Sequence, residues 1–467
     1  MNGLLARLRA RGDAPATERW RASGTAFACS SERIERRYDQ AIGELFDCIK
    51  PTDVTGPILH EGGPYHGCWL ESTGTINTEL MARFLPEIAT ATYSAFADYQ
   101  RDDGLIPYKI TATGPAFAQI QLVTPLARSV WHHYGLHARD KGFLSRMYAA
   151  MSRYDDWLAR YRNTRGTGGV EAFCTYDTGH DLSARFWHVP DSPLDNDART
   201  VHADNPILPF IAPDLTANVA CQRTYLARIA EELGEDGQGW REKADASLKA
   251  LFEHCYSADD HFFYDRDRNG RLVRVQSDVL LRVLACEVGD DEFFAEALDR
   301  YLLNTSKFFA KYPFTSVALD DPRFDPNFGQ NSWSGPSNFL SIIRAAHAFE
   351  HHHRHVELSW AQNPILAALF DMQTFPQTLN PFTGAAGYTE AYAPAILCLL
   401  DFVERRSGIL PRSDGRLWFT GLVPEEVIHK DARHQTAYRR DVDGVRFELL
   451  NTGTIVTVLR DGEVLYR

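Results

Sequence analysis

Amphipathic helical segments recur through the first 405 residues, and the connectors between them alternate between short and long; no other feature of the sequence constrains the fold as tightly. Residues 214–233 set the pattern: Asp214 is an N-cap residue, Leu215, Val219, Leu226, Ile229 and Leu233 fall on one face, and Gly234 ends the run. Similar periodicity predicts helices at 34–47, 77–98, 120–134, 143–160, 240–254, 277–287, 291–303, 337–350, 362–373 and 389–405. Between them lie long stretches dense in aromatics, Asp, Asn, Gly and Pro, at 51–76, 102–119, 165–213, 311–336 and 374–388. Loops of that length inside a compact domain are usually functional. About a dozen helices joined in this way is what a double ring requires, with the long loops gathered at one end. The expected fold is therefore all-α, an (α/α)6 toroid spanning residues 1–405. A solenoid is the competing architecture, but no repeat of fixed length is present.

After residue 406 the pattern changes. The runs LWFTGLV, VRFELLN, TIVTVLR and EVLYR are short and β-branched or aromatic, and Asp443-Gly444 and Asp461-Gly462 read as hairpin turns. Residues 406–467 are expected to form a small β appendage whose last run is an edge strand.

Charge and cysteine usage narrow the function. The chain carries 62 acidic against 49 basic residues, a formal charge of -13, which opposes the phosphate neutralisation that nucleic-acid binding needs. No apolar stretch reaches the roughly 18 residues of a membrane span, and the N-terminus lacks the apolar core of a secretory signal. The 8 cysteines are scattered singly, as in reduced proteins. These features point to a cytoplasmic protein with no nucleic-acid or membrane partner; oligomeric state is left open. No nucleotide-binding glycine motif occurs, so no cofactor is expected. The cluster His351, His352, His353 and His355 reads as a solvated helix end, not a metal site.

The chemistry concentrates in Tyr176-Asp177-Thr178-Gly179-His180-Asp181-Leu182-Ser183-Ala184-Arg185-Phe186-Trp187, within the longest connector. Two carboxylates, an imidazole and a guanidinium among aromatics can hold a carboxyl protonated beside a sugar oxygen, and Phe186 and Trp187 are placed to desolvate it. Asp177 is too close in sequence to Asp181 to reach the opposite face of a sugar.

Residues 178–186 resemble the Ser-Gly-Trp-Asp-Phe-Ser-Ser-Arg-Trp stretch of trehalases and the related stretch of processing α-glucosidases and mannosylglycerate hydrolases. Three other segments resemble those families in the same order. They are Tyr65-His66-Gly67-Cys68-Trp69-Leu70-Glu71-Ser72, Pro213-Asp214-Leu215-Thr216-Ala217-Asn218, and Tyr312 to Ala318 followed by Gln330-Asn331-Ser332-Trp333-Ser334-Gly335-Pro336. The resemblance spans roughly residues 55–405. It implies an inverting glycoside hydrolase acting on a small α-linked glycoside or oligosaccharide, with Asp181 as general acid. Candidate substrate-binding residues are Trp69, Trp333 and Tyr388 as stacking walls and Lys109, Arg185, Gln330 and Asn331 as hydroxyl contacts, with His180 and Gln377 beside them.

The chain departs from the pattern at one place. In the α-glucosidase relatives a Glu precedes Asn-Pro-x-Thr-Gly and serves as base, whereas here Gln377 stands before Asn380-Pro381-Phe382-Thr383-Gly384. A glutamine cannot take a proton, so either another carboxylate is the base or the reaction is not simple hydrolysis. The candidates are Glu390, in a segment resembling the one that follows the base in relatives, then Glu71 and Glu61. Two rival readings are a sugar isomerase or epimerase in which His180 or another histidine moves a proton on a free sugar, and a catalytically silent sugar-binding protein.

Overall fold

A computed structural model describes residues 2–53, 56–121, 125–137, 139–327, 329–330, 333–421 and 434–467. Thirteen α-helices occur among them: α1 (Asn2–Asp13), α2 (Glu32–Asp47), α3 (Asn77–Met81), α4 (Pro86–Asp98), α5 (Leu126–Leu136), α6 (Lys141–Tyr161), α7 (Pro213–Leu233), α8 (Gln238–Cys255), α9 (Val279–Leu284), α10 (Asp291–Ala297), α11 (Phe339–His351), α12 (His355–Asp371) and α13 (Ala393–Ser407).

The odd-numbered helices from α3 onward form a closed inner ring: each packs on the next, and α13 returns to α3. The outer helices are α2, α4, α6, α8, α10 and α12; α2 packs on α13, and α4, α6, α8 and α12 lie against their inner partners. This is the (α/α)6 toroid that the alternation of connectors predicts. The inner helices are apolar around much of their circumference, as burial on several sides requires; α13 is buried from Ala393 through Glu404.

Helix boundaries differ from the sequence pattern in instructive ways. The run 77–98 is two helices, because α3 ends in a turn at Arg83–Leu85 and Pro86 opens α4 as a first-turn proline. Before α3, Ser72–Ile76 forms a wider π-type turn that sets Glu71 just ahead of the inner ring. Helix α12 starts at His355, well before the periodic stretch, and tolerates Pro364 inside it.

The tail forms strands Thr436–Val442, Val445–Asn451, Val456–Arg460 and Glu463–Tyr466 in one antiparallel meander. Asp443 and Gly444 both have positive φ, as do Asp461 and Gly462, the geometry that two-residue hairpins require. Glu463–Tyr466 is an exposed edge strand. At the other edge lies Thr25–Cys29, paired with Thr436–Val442 in register from Thr25↔Arg440 to Cys29↔Thr436. The N-terminal segment thus belongs to the sheet, a pairing no local sequence pattern announces. Arg440 donates to Glu404 of α13 and to the Arg83 carbonyl, joining sheet to ring. The strand Leu417–Phe419 from LWFTGLV pairs instead with Ile409–Pro411. All eight cysteines are buried free thiols, and no helix among the described residues is long and apolar enough to cross a membrane.

Candidate active site

The inner helices run in one sense, so their N-terminal ends share one mouth of the toroid. Asp214 is the second residue of α7, Asp278 precedes α9, and Ser341 and Arg344 lie in the first turns of α11. Ser341 donates to Asp278, and the Ala393 amide at the start of α13 donates to the Glu61 carbonyl. The long connectors close over this mouth.

Asp181 sits between two short helical turns, Thr175–Thr178 and Ala184–Phe186, with reversals at Gly179 (φ 64°) and Leu182 (φ 58°). Gly179 is required twice over. Its backbone is left-handed, and a Cβ there would fall 1.7 Å from Oε2 of Glu71. The Glu71 carboxylate therefore lies directly against the loop that carries Asp181.

Beneath the loop is a buried ionic lattice. Arg185 donates from Nε and Nη2 to Asp265 (both 2.7 Å), from Nη1 and Nη2 to Asp214 (2.9 and 3.0 Å), and from Nη1 to Nδ1 of His180 (2.6 Å). All three nitrogens are engaged, so Arg185 holds the loop down and has no donor left for a sugar hydroxyl. Because Nδ1 of His180 accepts, its proton is on Nε2, 3.1 Å from Oδ1 of Asp278. Burial and the neighbouring guanidinium of Arg282 push the imidazole down to about 3, so it stays neutral. Trp333 is likewise buried, its ring tilted against that of His180 at 4.6 Å and lying under Arg282. It is a wall of the lattice, below any sugar-stacking position.

Two arginines that the motifs do not include fix Glu71. Arg282 on α9 donates to the Thr178 carbonyl (2.6 Å) and to Oε1 of Glu71 (3.2 Å), and Arg344 on α11 lies 3.6 Å from the same oxygen. The spacing of Asp278 and Arg282, one helical turn apart in an otherwise apolar segment, is the signal that marks them.

Three carboxyls meet above this lattice. Asp181 is held well above the ordinary aspartate range, first by burial and then by the charges of Glu71, Glu61 and Asp191, with Arg282 opposing. Glu61 is pushed up to about 7 by burial, moderated by the Tyr392 hydroxyl that donates to it at 2.7 Å. Burial also raises Glu71, against the pull of Arg282 and Arg344. Phe186 is buried against Phe210, whereas Trp187 is exposed, so the desolvation comes from enclosure by the mouth and not from Trp187. Asp177 is spent on structure, paired with Arg162 and accepting from the Phe173 and Ile120 amides.

An aromatic rim adjoins the carboxyls. Tyr65 donates to Oε1 of Gln377 at 2.8 Å and contacts Trp69, Tyr388 and Tyr392 edge-on or tilted. Charge on Glu61 and Asp181 acts on its hydroxyl, which places Tyr65 at the centre of the site. Trp69 is half-buried with the Lys109 ammonium 4.8 Å from its ring, and Lys109 also acts electrostatically on Glu61. Gln377 is buried.

Other expected residues lie apart. Glu390 is exposed between two left-handed residues, Thr389 and Ala391, outside the start of α13; its charge acts on Glu44 of the outer ring. Gln330 is exposed on the connector, and Asn331 lies outside the described residues. Among the described residues the mouth holds no trio of His, Cys, Asp or Glu with metal-binding spacing.

A helical toroid with paired acids and an aromatic rim at one mouth defines a class of sugar-processing proteins. The family model for the mannosylglycerate hydrolase MGH1-like glycoside hydrolase domain matches residues 65–393, and the chain belongs to this family of glycoside hydrolases. No curated protein sequence matches. Among solved structures, a mannosylglycerate hydrolase from Thermus thermophilus in complex with Tris is similar at 16% identity, TM-score 0.65, covering 78% of this chain and 99% of that one. Neutral trehalase from Saccharomyces cerevisiae matches at 12% identity and TM-score 0.55, covering 76% of each chain. A rhamnosidase from Bacillus sp. GL1 matches at 12% and 0.61, covering 94% of this chain and 42% of that one. At these identities the structural likeness speaks for the fold; the family model carries the assignment as a glycoside hydrolase.

Proposed function

We propose that the protein hydrolyses a small α-linked glycoside with inversion, Asp181 protonating the leaving oxygen and Glu61 activating water. The observation that carries this reading is the raised Asp181 carboxyl, enclosed beside two further acids at the mouth. A general acid must hold its proton at working pH, and burial with like charges nearby achieves that. Of the two acids beside it, Glu71 shares Oε1 with two guanidiniums, which lowers its basicity and suits it to binding sugar hydroxyls. Glu61 accepts from the neutral hydroxyl of Tyr392, and the Lys109 ammonium is the smallest of the influences on it, so it keeps the basicity a water-activating carboxylate needs. Trp69 and Tyr388 supply faces for the sugar, Lys109 a hydroxyl contact, and Gln377 orients Tyr65 in place of a base. His180, locked between Arg185 and Asp278, is not placed to shuttle a proton on a free sugar.

Proton NMR of the protein with a panel of α- and β-glycosides, followed from the earliest time point, tests the reading. Release of the opposite anomer, abolished in Asp181→Asn, is expected. Release of the same anomer, interconversion of a free sugar, or undiminished turnover in the variant would overturn it.

A further inference from the structure

The opposite mouth of the toroid, where the inner helices end, carries a second cluster that glycoside hydrolysis leaves unused. Along α11, nine residues separate Asn338 from His347, about 13 Å of helix rise. His347 Nε2 lies 2.9 Å from Oε1 of Glu287, three residues beyond the end of α9, and His351 follows one turn later on α11. One ligand-type atom from each of Glu287, His347 and His351 falls within 4.8 Å of the other two.

We propose that Glu287, His347 and His351 form a binding site for a divalent transition ion of the zinc class. Two imidazoles at i and i+4 present their nitrogens on one helix face, and a carboxylate from the turn after α9 completes a three-ligand set with a fourth position open to water. Imidazole with carboxylate selects zinc, cobalt or nickel over magnesium or calcium. Glu287 adopts φ 63°, a left-handed conformation uncommon for its type, and Tyr225 further orients its carboxylate by donating to Oε1 at 2.7 Å. Coordination requires the proton now on Nε2 of His347 to move to Nδ1.

The surroundings favour a cation. Glu79 and Glu287 outnumber Arg128, the one guanidinium paired with either among the described residues, and the C-terminal ends of the inner helices add partial negative charge. Next to His347, the His132 ring stands 5.8 Å away with Nδ1 held 2.8 Å from Glu79, an arrangement that fixes an imidazole beside a metal. His351 is exposed, which gives an ion a path in.

The test is titration of chelator-treated, full-length protein with Co²⁺, read by visible d–d absorption, and with Zn²⁺ by calorimetry. One equivalent is expected to bind, with affinity falling at least tenfold in His347→Ala and in His351→Ala, and unchanged in His353→Ala. His351 is exposed, so its variant tests the site without disturbing the core, and circular dichroism checks that each variant is folded. Binding below a tenth of an equivalent, or equal affinity in His351→Ala and wild type, would overturn the proposal. Because the site lies at the far mouth, the Asp181 chemistry neither supports nor weakens it.

Discussion

Arg185→Gln separates a guanidinium that binds substrate from one that holds the fold. In the structure Arg185 makes five hydrogen bonds to Asp214, Asp265 and His180, all buried. Removing one partner of a buried ion pair costs about 3–5 kcal/mol, because the remaining charge stays desolvated. Asp214 keeps Arg282 at 3.7 Å, but Asp265 has no second guanidinium among the described ion pairs, so the loss falls mainly there. For a chain this long the unfolding entropy is about 1 kcal/mol per degree, and the melting temperature should drop by about 3–5 °C. Adding Asp265→Asn should return part of that loss, since the orphaned charge goes with it, and thermal melts of the two single variants and the double variant form the cycle. The reasoning fails if Arg185→Gln melts within a degree of wild type while KM rises, which would make Arg185 a sugar contact.

The other predictions concern the carboxyls. Asp181→Asn should lower kcat by about 10²–10⁴, read with an activated glycoside and with a natural one. The same variant should be more stable than wild type above neutral pH. The folded pKa of Asp181 lies above its unfolded value, so the folded state binds the extra proton and wild-type stability falls as pH rises through that range. Melts between pH 5 and 9 check the sign. Rate profiles should show an acid limb near 7 from Glu61, lost or displaced in Glu61→Gln, with the pair of acids titrating together. Glu390→Gln should leave kcat within about threefold of wild type, whereas Glu61→Gln should lower it by about 10² or more; comparable losses in both would return the base role to Glu390. Gly179→Ala should cost stability and activity together, since its methyl group meets Glu71.

The fold was legible because 3.6-residue periodicity is a local signal, and the closure of six inner helices follows from their number and their connectors. The loop motif was legible as a unit, but the roles within it were not. Arg185 and Trp333 read as sugar contacts because guanidinium and indole serve equally in a site and beneath one, and only burial distinguishes them. Glu390 read as a base from its place after the Asn-Pro-x-Thr-Gly segment, yet left-handed residues on either side of it lead to an exposed carboxylate, a conformational outcome that spacing does not encode. Arg282 and Arg344 were hidden inside apolar helices, and the strand at Thr25–Cys29 has its partner more than 400 residues away.

The mouth shows how one fold sorts its acids. Asp214 and Asp278 stand at the N-terminal ends of α7 and α9, where the backbone amides present partial positive charge, and each also faces an arginine; both are held below the usual range. Asp181 and Glu61 are equally enclosed but come from loops, and burial with like charges nearby raises both. The ionic lattice thus holds Asp214 and Asp278 below the usual range, while Asp181 and Glu61 are raised at the mouth.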